Sequence, residues 1–504
     1  MRLIFAGTLV RGGSMRNMRT LVSLAAFLAG CTVGPDYQPP DATLPARFSG
    51  AEPAAAAAAI AQWWRAFDDR QLDRLIEQAM RDNPDVLTAA SRVHEARLQE
   101  IVAGAPLWPS LQASDQAART HLSGNAISLG NLGTLTGGAV SSGAGNSLSS
   151  LGLPGTDFNT YQLGFDASWE LDLFGKTRRG MEAARDSTGA ATWNRRDTQV
   201  SLTAEVANTW FALRAAQSRL QVAEAELARQ QSLLAVVQTR QRTGLATGLD
   251  VAQQDTQLTA AAAAVPPLEA EIETRRHALA VLAGEPPETL DLPVVTAATA
   301  TPPTVPPGLP SDLLRRRPDI RSAERQLAAA AANIGVAVAD YYPQITLTAS
   351  PSLISTALSN LLTWGSRNLS LTAGLAWPLF NAGTTTAKVG IANEHQQQAL
   401  LAYRKTVLTA LRDVEDALSQ YQSDTDRQAA LHRSLSAAGA AADIAGGQYR
   451  AGLIPFSTVL TTEAALTSAQ DQSVQADASL NQDLVALYKA LGGGWSEETT
   501  EAAR

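Results

Sequence analysis

Four stretches of the chain alternate apolar and polar residues, and they come as two pairs set between runs with a seven-residue apolar period. Tyr161 to Leu173 alternates without a break: Tyr161, Leu163, Phe165, Ala167, Trp169, Leu171 and Leu173 against Gln162, Gly164, Asp166, Ser168, Glu170 and Asp172. A period of two sends the two sets to opposite faces of a strand. Twelve or so residues is long for a globular strand and suits one that crosses a bilayer at a tilt. Leu107 to Ser114 alternates more loosely. Further on, Ile345, Leu347 and Ala349 alternate with Gln344, Thr346, Thr348 and Ser350, and Leu369, Leu371, Ala373, Leu375 and Trp377 with Ser370, Thr372, Gly374 and Ala376.

Each pair is followed by a long helical pattern. From about Lys176 to Arg242 there is no proline, on the order of 100 Å of helix at about 1.5 Å per residue. Val206, Leu213, Leu220, Leu227 and Leu234 recur every seventh position, as do Val251, Leu258, Val265, Ile272 and Leu279. Leu400, Val407, Val414 and Tyr421, then Val459, Leu466, Leu480 and Leu487, give the later copy. Such a repeat packs helices with a left-handed supercoil. Pro266-Pro267 is expected to kink or break the first return helix. Trp63 and Trp64 open an amphipathic helix through Leu72, Leu75, Ile76 and Ala79, and Pro84 starts the next, running to about Ala105.

The two halves are copies. Arg242-Thr-Gly-Leu-Ala-Thr-Gly-Leu-Asp-Val251 and Arg450-Ala-Gly-Leu-Ile-Pro-Phe-Ser-Thr-Val459 stand 208 residues apart, each interrupting a helical pattern as a hairpin tip would. Gly244 and Gly452 supply the positive φ that ends a helix. Asp250 suits the first turn of the returning helix, where the second copy has Thr458. Asn83-Pro84-Asp85 and Pro109 precede Arg317-Pro318-Asp319 and Pro343 by 234 residues, while Leu173-Phe174 precedes Leu379-Phe380 by 206. The drop locates an insertion of about 28 residues in the Gly/Ser/Leu-rich loop from His121 to Gly155, at a place where a surface loop tolerates it.

These readings divide the chain into residues 1–30, an export signal; 31–62, an extended tether; 63–283, the first repeat, with a β-hairpin over 107–173 and a helical hairpin over 176–283; 284–310, a Pro-rich linker; 311–491, the second repeat, with a β-hairpin over 343–380 and a helical hairpin over 384–491; and 492–504, a disordered acidic tail. Four two-faced strands cannot close a barrel, and open edges cannot stay in lipid. The chain is therefore expected to oligomerise, with Gln162, Ser168 and Thr346 toward water and Trp169 and Trp377 at the membrane interface.

Composition sharpens this. Aromatics are only 5% and alanine abounds, which suits closely packed helices. A net charge of −8 gives no footprint for nucleic acid. The single cysteine follows a basic segment at Met15 to Thr20 and an apolar one at Leu21 to Gly30, the pattern of an export signal too short to span. Leu28-Ala-Gly-Cys31 resembles a bacterial lipobox, which implies a covalent lipid on Cys31. By the same resemblance Thr32, which is not an aspartate, implies sorting to the outer membrane. Met15 and Met18 are alternative starts. Removing the signal, with Arg2, Arg11, Arg16 and Arg19, takes the charge from −8 to −12.

Arg316-Arg-Pro-Asp-Ile-Arg-Ser-Ala-Glu324, Tyr342-Pro-Gln-Ile345 and the duplicated Arg-x-Gly-Leu tips closely resemble TolC-like outer-membrane efflux channels of the NodT/OprM/CusC-type lipoprotein branch found in RND efflux systems. Cys31-Thr-Val-Gly-Pro-Asp-Tyr37, Trp63-Trp-Arg-Ala-Phe67 and Tyr488-Lys-Ala-Leu-Gly-Gly493 extend the likeness over nearly the whole mature chain. The fold this implies is mainly α, with a membrane β-barrel part. Duplicated helical hairpins would build a periplasmic α-barrel, and four strands per chain would join a trimeric 12-strand outer-membrane barrel. Implied partners are two further copies, a periplasmic adaptor, an inner-membrane RND-type pump and outer-membrane lipid. The implied role is a passive, gated exit duct for drugs and small toxic solutes.

In that family the periplasmic tips form the gate. Carried over, the candidates are Arg242, Gly244, Leu249 and Asp250 in the first copy, and Tyr449, Arg450, Gly452, Ser457 and Thr461 in the second. Relatives carry a leucine constriction and an aspartate ring where this chain has Ser457 and Thr461, so Asp250 or Asp255 is expected to supply the negative charge. A conduit for type I protein secretion and a periplasmic coiled-coil scaffold or adaptor lipoprotein are the alternatives. Catalysis is not expected. Histidines 94, 121, 277, 395 and 432 form no metal motif, and Gly175-Lys-Thr177 lacks the earlier glycine of a phosphate loop, having Glu170 there. No cofactor is expected beyond the lipid.

Overall fold

The computed structural model describes residues 32–40, 45, 48, 61–121, 157–290, 292 and 314–495. The export signal, Cys31, most of the loop between the first two strands, most of the inter-repeat linker and residues 496–504 lie outside the described residues. In chain order the elements are α1 (Arg70–Asp82), α2 (Pro84–Gly104), β1 (Ser110–His121), β2 (Asp157–Leu171), α3 (Lys176–Arg242), α4 (Gly248–Ala283), α5 (Pro318–Ala339), β3 (Gln344–Ser355), β4 (Arg367–Ala376), α6 (Thr384–Arg450) and α7 (Phe456–Ala490). The chain forms two compact units. One holds residues 1–37, 98–185 and 329–396, and the other holds 38–97, 186–328 and 397–504.

The first unit contains one antiparallel sheet in the order β1-β2-β3-β4. The strands run 12, 15, 12 and 10 residues, enough to cross a hydrocarbon layer at a tilt. Register sorts the side chains by parity. Ser114 opposes Gly164, which opposes Ser352, and Ser352 opposes Asn368; Leu347 opposes both Trp169 and Ala373. One face therefore carries Leu111, Leu163, Phe165, Trp169, Leu347, Leu369, Leu371 and Leu375, most of them largely exposed. The other face carries Gln112, Ser114, Gln162, Asp166, Ser168, Thr346, Ser350 and Thr372. Asp166 accepts from Ser114 at 2.6 Å and from Ser350 at 2.8 Å, tying three strands across that polar face. Trp169 donates its indole N–H to the Leu107 carbonyl and Trp377 donates to that of Tyr341, both at 3.0 Å. The two repeats thus anchor an equivalent tryptophan beside the strand ends. Among the described residues, both outer strands, β1 and β4, have one unpaired edge.

In the second unit the seven-residue seams are buried in part: Val206, Leu213, Leu279, Val407, Val414, Val459, Leu480 and Leu487 lie in its cores, while Leu220, Leu227, Leu234, Leu258, Val265 and Leu466 are half-exposed. Trp63 stacks on Tyr488 at 5.1 Å, and Phe67 meets Phe211 at 4.9 Å. Among the described residues no helix is long and apolar enough to cross a membrane.

Four expectations need correction. Trp63 and Trp64 do not begin α1: they belong to a short 3-10 turn, Trp63–Phe67, that ends at Asp68 with φ 49°. Asp69 then restarts the chain as the N-cap of α1, accepting from Gln71 and Leu72, and also accepts from the Trp210 indole at 2.9 Å. Pro266-Pro267 does not break α4, which runs unbroken through both. Ala262 and Ala263, whose carbonyls lose their donors there, are exposed like the two prolines, so water can replace the missing bonds. The span 31–62 is not all free tether: residues 32–37 pack against α3 and α5, and Phe48 is buried beside Ile320 and Val407. The tail does not begin at 492, because Gly492 to Trp495 fold back. Trp495 meets Trp193 edge-on at 5.4 Å, lies under the Arg196 guanidinium and donates to the Arg316 carbonyl.

Candidate functional site

The two hairpin tips are built by the same local chemistry. Gly244 and Gly452 adopt φ 73° and 77°, a conformation that costs any residue with a Cβ. In each, the residue after the glycine donates back across the helix end, Leu245 to Arg240 at 2.8 Å and Leu453 to Gln448 at 2.9 Å. The glycine itself donates to Gln241 or Tyr449, completing a Schellman closure.

Beyond the glycines the tips diverge. α4 starts with a capping box: Thr247 Oγ1 accepts from the Asp250 N–H at 3.2 Å, and an Asp250 oxygen accepts from the Thr247 N–H at 2.7 Å and its hydroxyl at 2.9 Å. α7 starts after Pro455 with no side-chain cap. That is the physical content of the Asp250-for-Thr458 difference.

The tips lean on each other through a small core of Val237, Tyr449, Phe456 and Val459, with Leu233, Ala246 and Val251 around it. Arg240 clasps them. Its Nη1 donates to the carbonyls of Tyr449 at 2.9 Å and Arg450 at 3.3 Å, and its guanidinium lies 4.6 Å from the Tyr449 ring centre. A cation here also meets the carbonyl end of α6, where the helix dipole is negative. The Tyr449 hydroxyl is buried with no partner among the described residues. Burial pushes it up from the ordinary tyrosine range, with Arg240 opposing and Asp250 adding to that rise.

The other candidates occupy the outside of the tips. Leu249 is 65% exposed, and Leu245 and Leu453 are similarly exposed at 68% and 73%. Arg242 donates to Thr239 and Arg450 to the Gly446 carbonyl, each within its own helix. Ser457 and Thr461 are exposed one turn apart, the Thr461 hydroxyl donating to the Ser457 carbonyl. Asp255 is exposed on α4. The structure therefore brings Tyr449 and Asp250 into one tip assembly and leaves the side chains of Arg242, Leu249, Arg450, Ser457 and Thr461 on its exposed outside.

A polar layer lies behind the tip core. Gln254, fully buried, donates to the Gln230 carbonyl at 2.9 Å and to its side chain at 2.6 Å, and Gln230 donates to Glu226. Arg229 pairs with Glu226 and reaches Gln470 at 3.3 Å and Glu463 at 3.7 Å. Burial raises the Glu463 carboxyl; Arg229 pulls it back, and Glu226 and Asp443 push it further up. A cavity of about 470 Å³ between these residues and the tips is lined by Leu233, Val236, Tyr449, Arg450, Val459 and Glu463. Sequence reasoning missed Arg240 and this layer. In the sequence Arg240 is marked only as a second arginine in the last turn of α3, two residues before Arg242.

Comparison with known proteins gives one family model, outer membrane efflux protein, matching residues 75–285 and 309–493. The chain is similar to the pyoverdine export outer membrane protein OpmQ of Pseudomonas aeruginosa, 34% identical over 497 residues, covering 97% of this chain and 99% of that protein. It is similar to the cation efflux system protein CusC of Escherichia coli, 30% identical over 478 residues, covering 94% and 98%. Among solved structures, the outer-membrane channel OprN aligns with a TM-score of 0.79 at 33% identity over 92% of this chain and all of that one. The open-state MtrE outer membrane channel of Neisseria gonorrhoeae aligns with a TM-score of 0.79 at 28% identity over 93% and 100%.

Proposed function

The chain belongs to the outer membrane efflux protein family and is an outer-membrane efflux channel, and from that premise we propose how its own residues do the work. Three copies close one 12-strand barrel, β4 of each pairing antiparallel with β1 of the next, and their helical hairpins build one periplasmic tunnel. The observation that carries this is the four-stranded sheet with an apolar face, a polar face and two open edges. An edge in hydrocarbon leaves its N–H and C=O groups unpaired at several kcal/mol each, so closure with other copies is the stable state. The apolar face then meets lipid, and the face bearing Gln112, Gln162, Asp166 and Thr346 lines water.

Conduction through such a duct is passive and takes its direction from upstream partners, a periplasmic adaptor and an inner-membrane RND-type pump. The relatives' names speak of pyoverdine, cations and toluene, which supports small solutes as the cargo class. The tips are the gate. Leu245, Leu249 and Leu453 present an apolar constriction, which closes a narrow pore by excluding water. Arg242, Arg450, Asp250 and Asp255 set the charge at the aperture, and Ser457 and Thr461 face the neighbouring copy. Docking of the adaptor repacks the tips and widens the opening. Cys31 carries a covalent lipid that anchors the mature N-terminus.

The test is reconstitution. Purified protein from outer membranes, weighed in detergent and inserted in planar bilayers, is expected to be a trimer that conducts rarely at rest. A stable monomer in buffer without detergent refutes the reading. Mass spectrometry of the mature N-terminus reads the lipid on Cys31 directly, with Cys31→Ser as the control.

A further inference from the structure

The first residues after Cys31 are held with more contacts than a tether needs. Val33 N–H donates to the Phe174 carbonyl at 3.2 Å. Arg179, whose side chain is 5% exposed, donates to the Val33 carbonyl at 3.2 Å and the Asp36 carboxylate at 2.6 Å. Glu182 holds the guanidinium from behind at 2.8 Å. Backbones meet here without room for side chains: a Cβ on Gly34 would lie 2.4 Å from the Gly335 Cα, and one on Gly335 would lie 2.9 Å from the Val33 carbonyl oxygen. Thr32 touches Gly175, four residues past the end of β2, and Phe174 stacks on Tyr342 at 4.6 Å beneath it.

We infer that Thr32–Tyr37 is a strap docked on the strand–helix junction, with Arg179 and Gly335 as positioning residues, and that it fixes the depth at which the acylated Cys31 enters the bilayer. The inference rests on the reading of Cys31 as the lipid-bearing residue. Cys31 is one residue from Thr32, about 3.8 Å between Cα atoms, and Thr32 lies at the junction that follows Trp169. Docked, the strap leaves no slack, so acyl chains and sheet enter the bilayer from one level. Released, its six residues add up to about 20 Å of reach at roughly 3.3–3.6 Å each, against a hydrocarbon thickness of about 30 Å. A chain with that slack stays on the membrane while its sheet edges lose register with those of other copies, and closure slows because the effective concentration of aligned edges falls.

The test compares full-length wild type, Arg179→Ala, and a variant with an eight-residue Gly/Ser insert directly after Cys31 that leaves every Arg179 contact intact. Hydrogen exchange at the Val33 amide reads the dock, intact mass reads acylation, and denaturant-resistant trimer in outer membranes reads assembly. The expected result is a protected Val33 amide in wild type and in the insert variant, exposed in Arg179→Ala. Both variants should be fully acylated and at least fivefold poorer in trimer. Wild-type trimer yield in the insert variant overturns the depth role even where Arg179→Ala misfolds, and an unprotected Val33 amide in wild type overturns the dock. A mature N-terminus without acyl mass overturns the anchor reading itself, and is recognised apart from the others because the Val33 protection stays.

Discussion

Replacing Arg240 by alanine should loosen the resting tips. The side chain gives up hydrogen bonds to the Tyr449 and Arg450 carbonyls at 2.9 and 3.3 Å and its place over the Tyr449 ring at 4.6 Å. A buried hydrogen bond from a charged donor contributes about 1.5–3 kcal/mol and a surface cation–π contact about 0.5–1 kcal/mol. Because Arg240 is half-buried and the Arg450 contact is exposed, water recovers much of that. A net loss of about 1–2 kcal/mol is the reasonable figure, or roughly 5- to 30-fold in the population of parted tips at about 1.4 kcal/mol per tenfold. Single-channel recordings should show a proportionate rise in open time, and cells should become leaky to a large antibiotic. Arg240→Lys keeps the charge at the end of α6 but not the planar stack, so it should fall between the two. Open time equal to wild type in Arg240→Ala would refute the view that this clasp holds the tips together.

Asp250→Ala removes half of the capping box, at about 1 kcal/mol, and should speed amide exchange at the first turn of α4; Asp250→Asn should do so less. If Asp250 also closes the aperture, Asp250→Ala raises leak beyond what the loosened cap gives in Thr247→Ala. On the sheet, Leu371→Arg faces lipid and should cost about 2–4 kcal/mol near mid-bilayer, while Ser370→Arg one position away faces water; outer-membrane trimer should drop in the first only. A pH effect follows from Asp483, which burial and the neighbouring Asp424 push up to about 7. The folded state thus holds this proton more tightly than the unfolded one, so stability should fall as pH rises from about 4 toward 7. Melting temperature in detergent at pH 5 against pH 8 measures it, and Asp483→Asn should flatten the difference.

Much of this was legible in the sequence for definite reasons. Strand alternation survives into the fold because both faces of the sheet have a fixed medium, and the seven-residue seams survive because Val206, Leu213, Val407 and Val414 pack inside one chain. The tip glycines were readable because a positive φ leaves a compositional mark. What was missed depends on partners distant in sequence. Gly34 looks like a linker residue until Gly335 and Arg179, on two other helices, are brought against it. Pro266-Pro267 looks like a breaker unless the solvent exposure of Ala262 and Ala263 is known. Gly492-Gly493-Gly494 reads as slack, yet Gly494 lies against Thr203 where a Cβ would come within 2.5 Å.

The unpaired borders of β1 and β4 have a genetic consequence. In the proposed ring of three, each seam needs a sound border from both of its neighbours, so a single faulty chain spoils the ring it joins. A cell making equal amounts of wild type and a variant with proline in the middle of β4 retains only about one intact ring in eight. Such an allele should behave as dominant, with drug sensitivity near that of a deletion, whereas a variant too unstable to reach the membrane should be recessive.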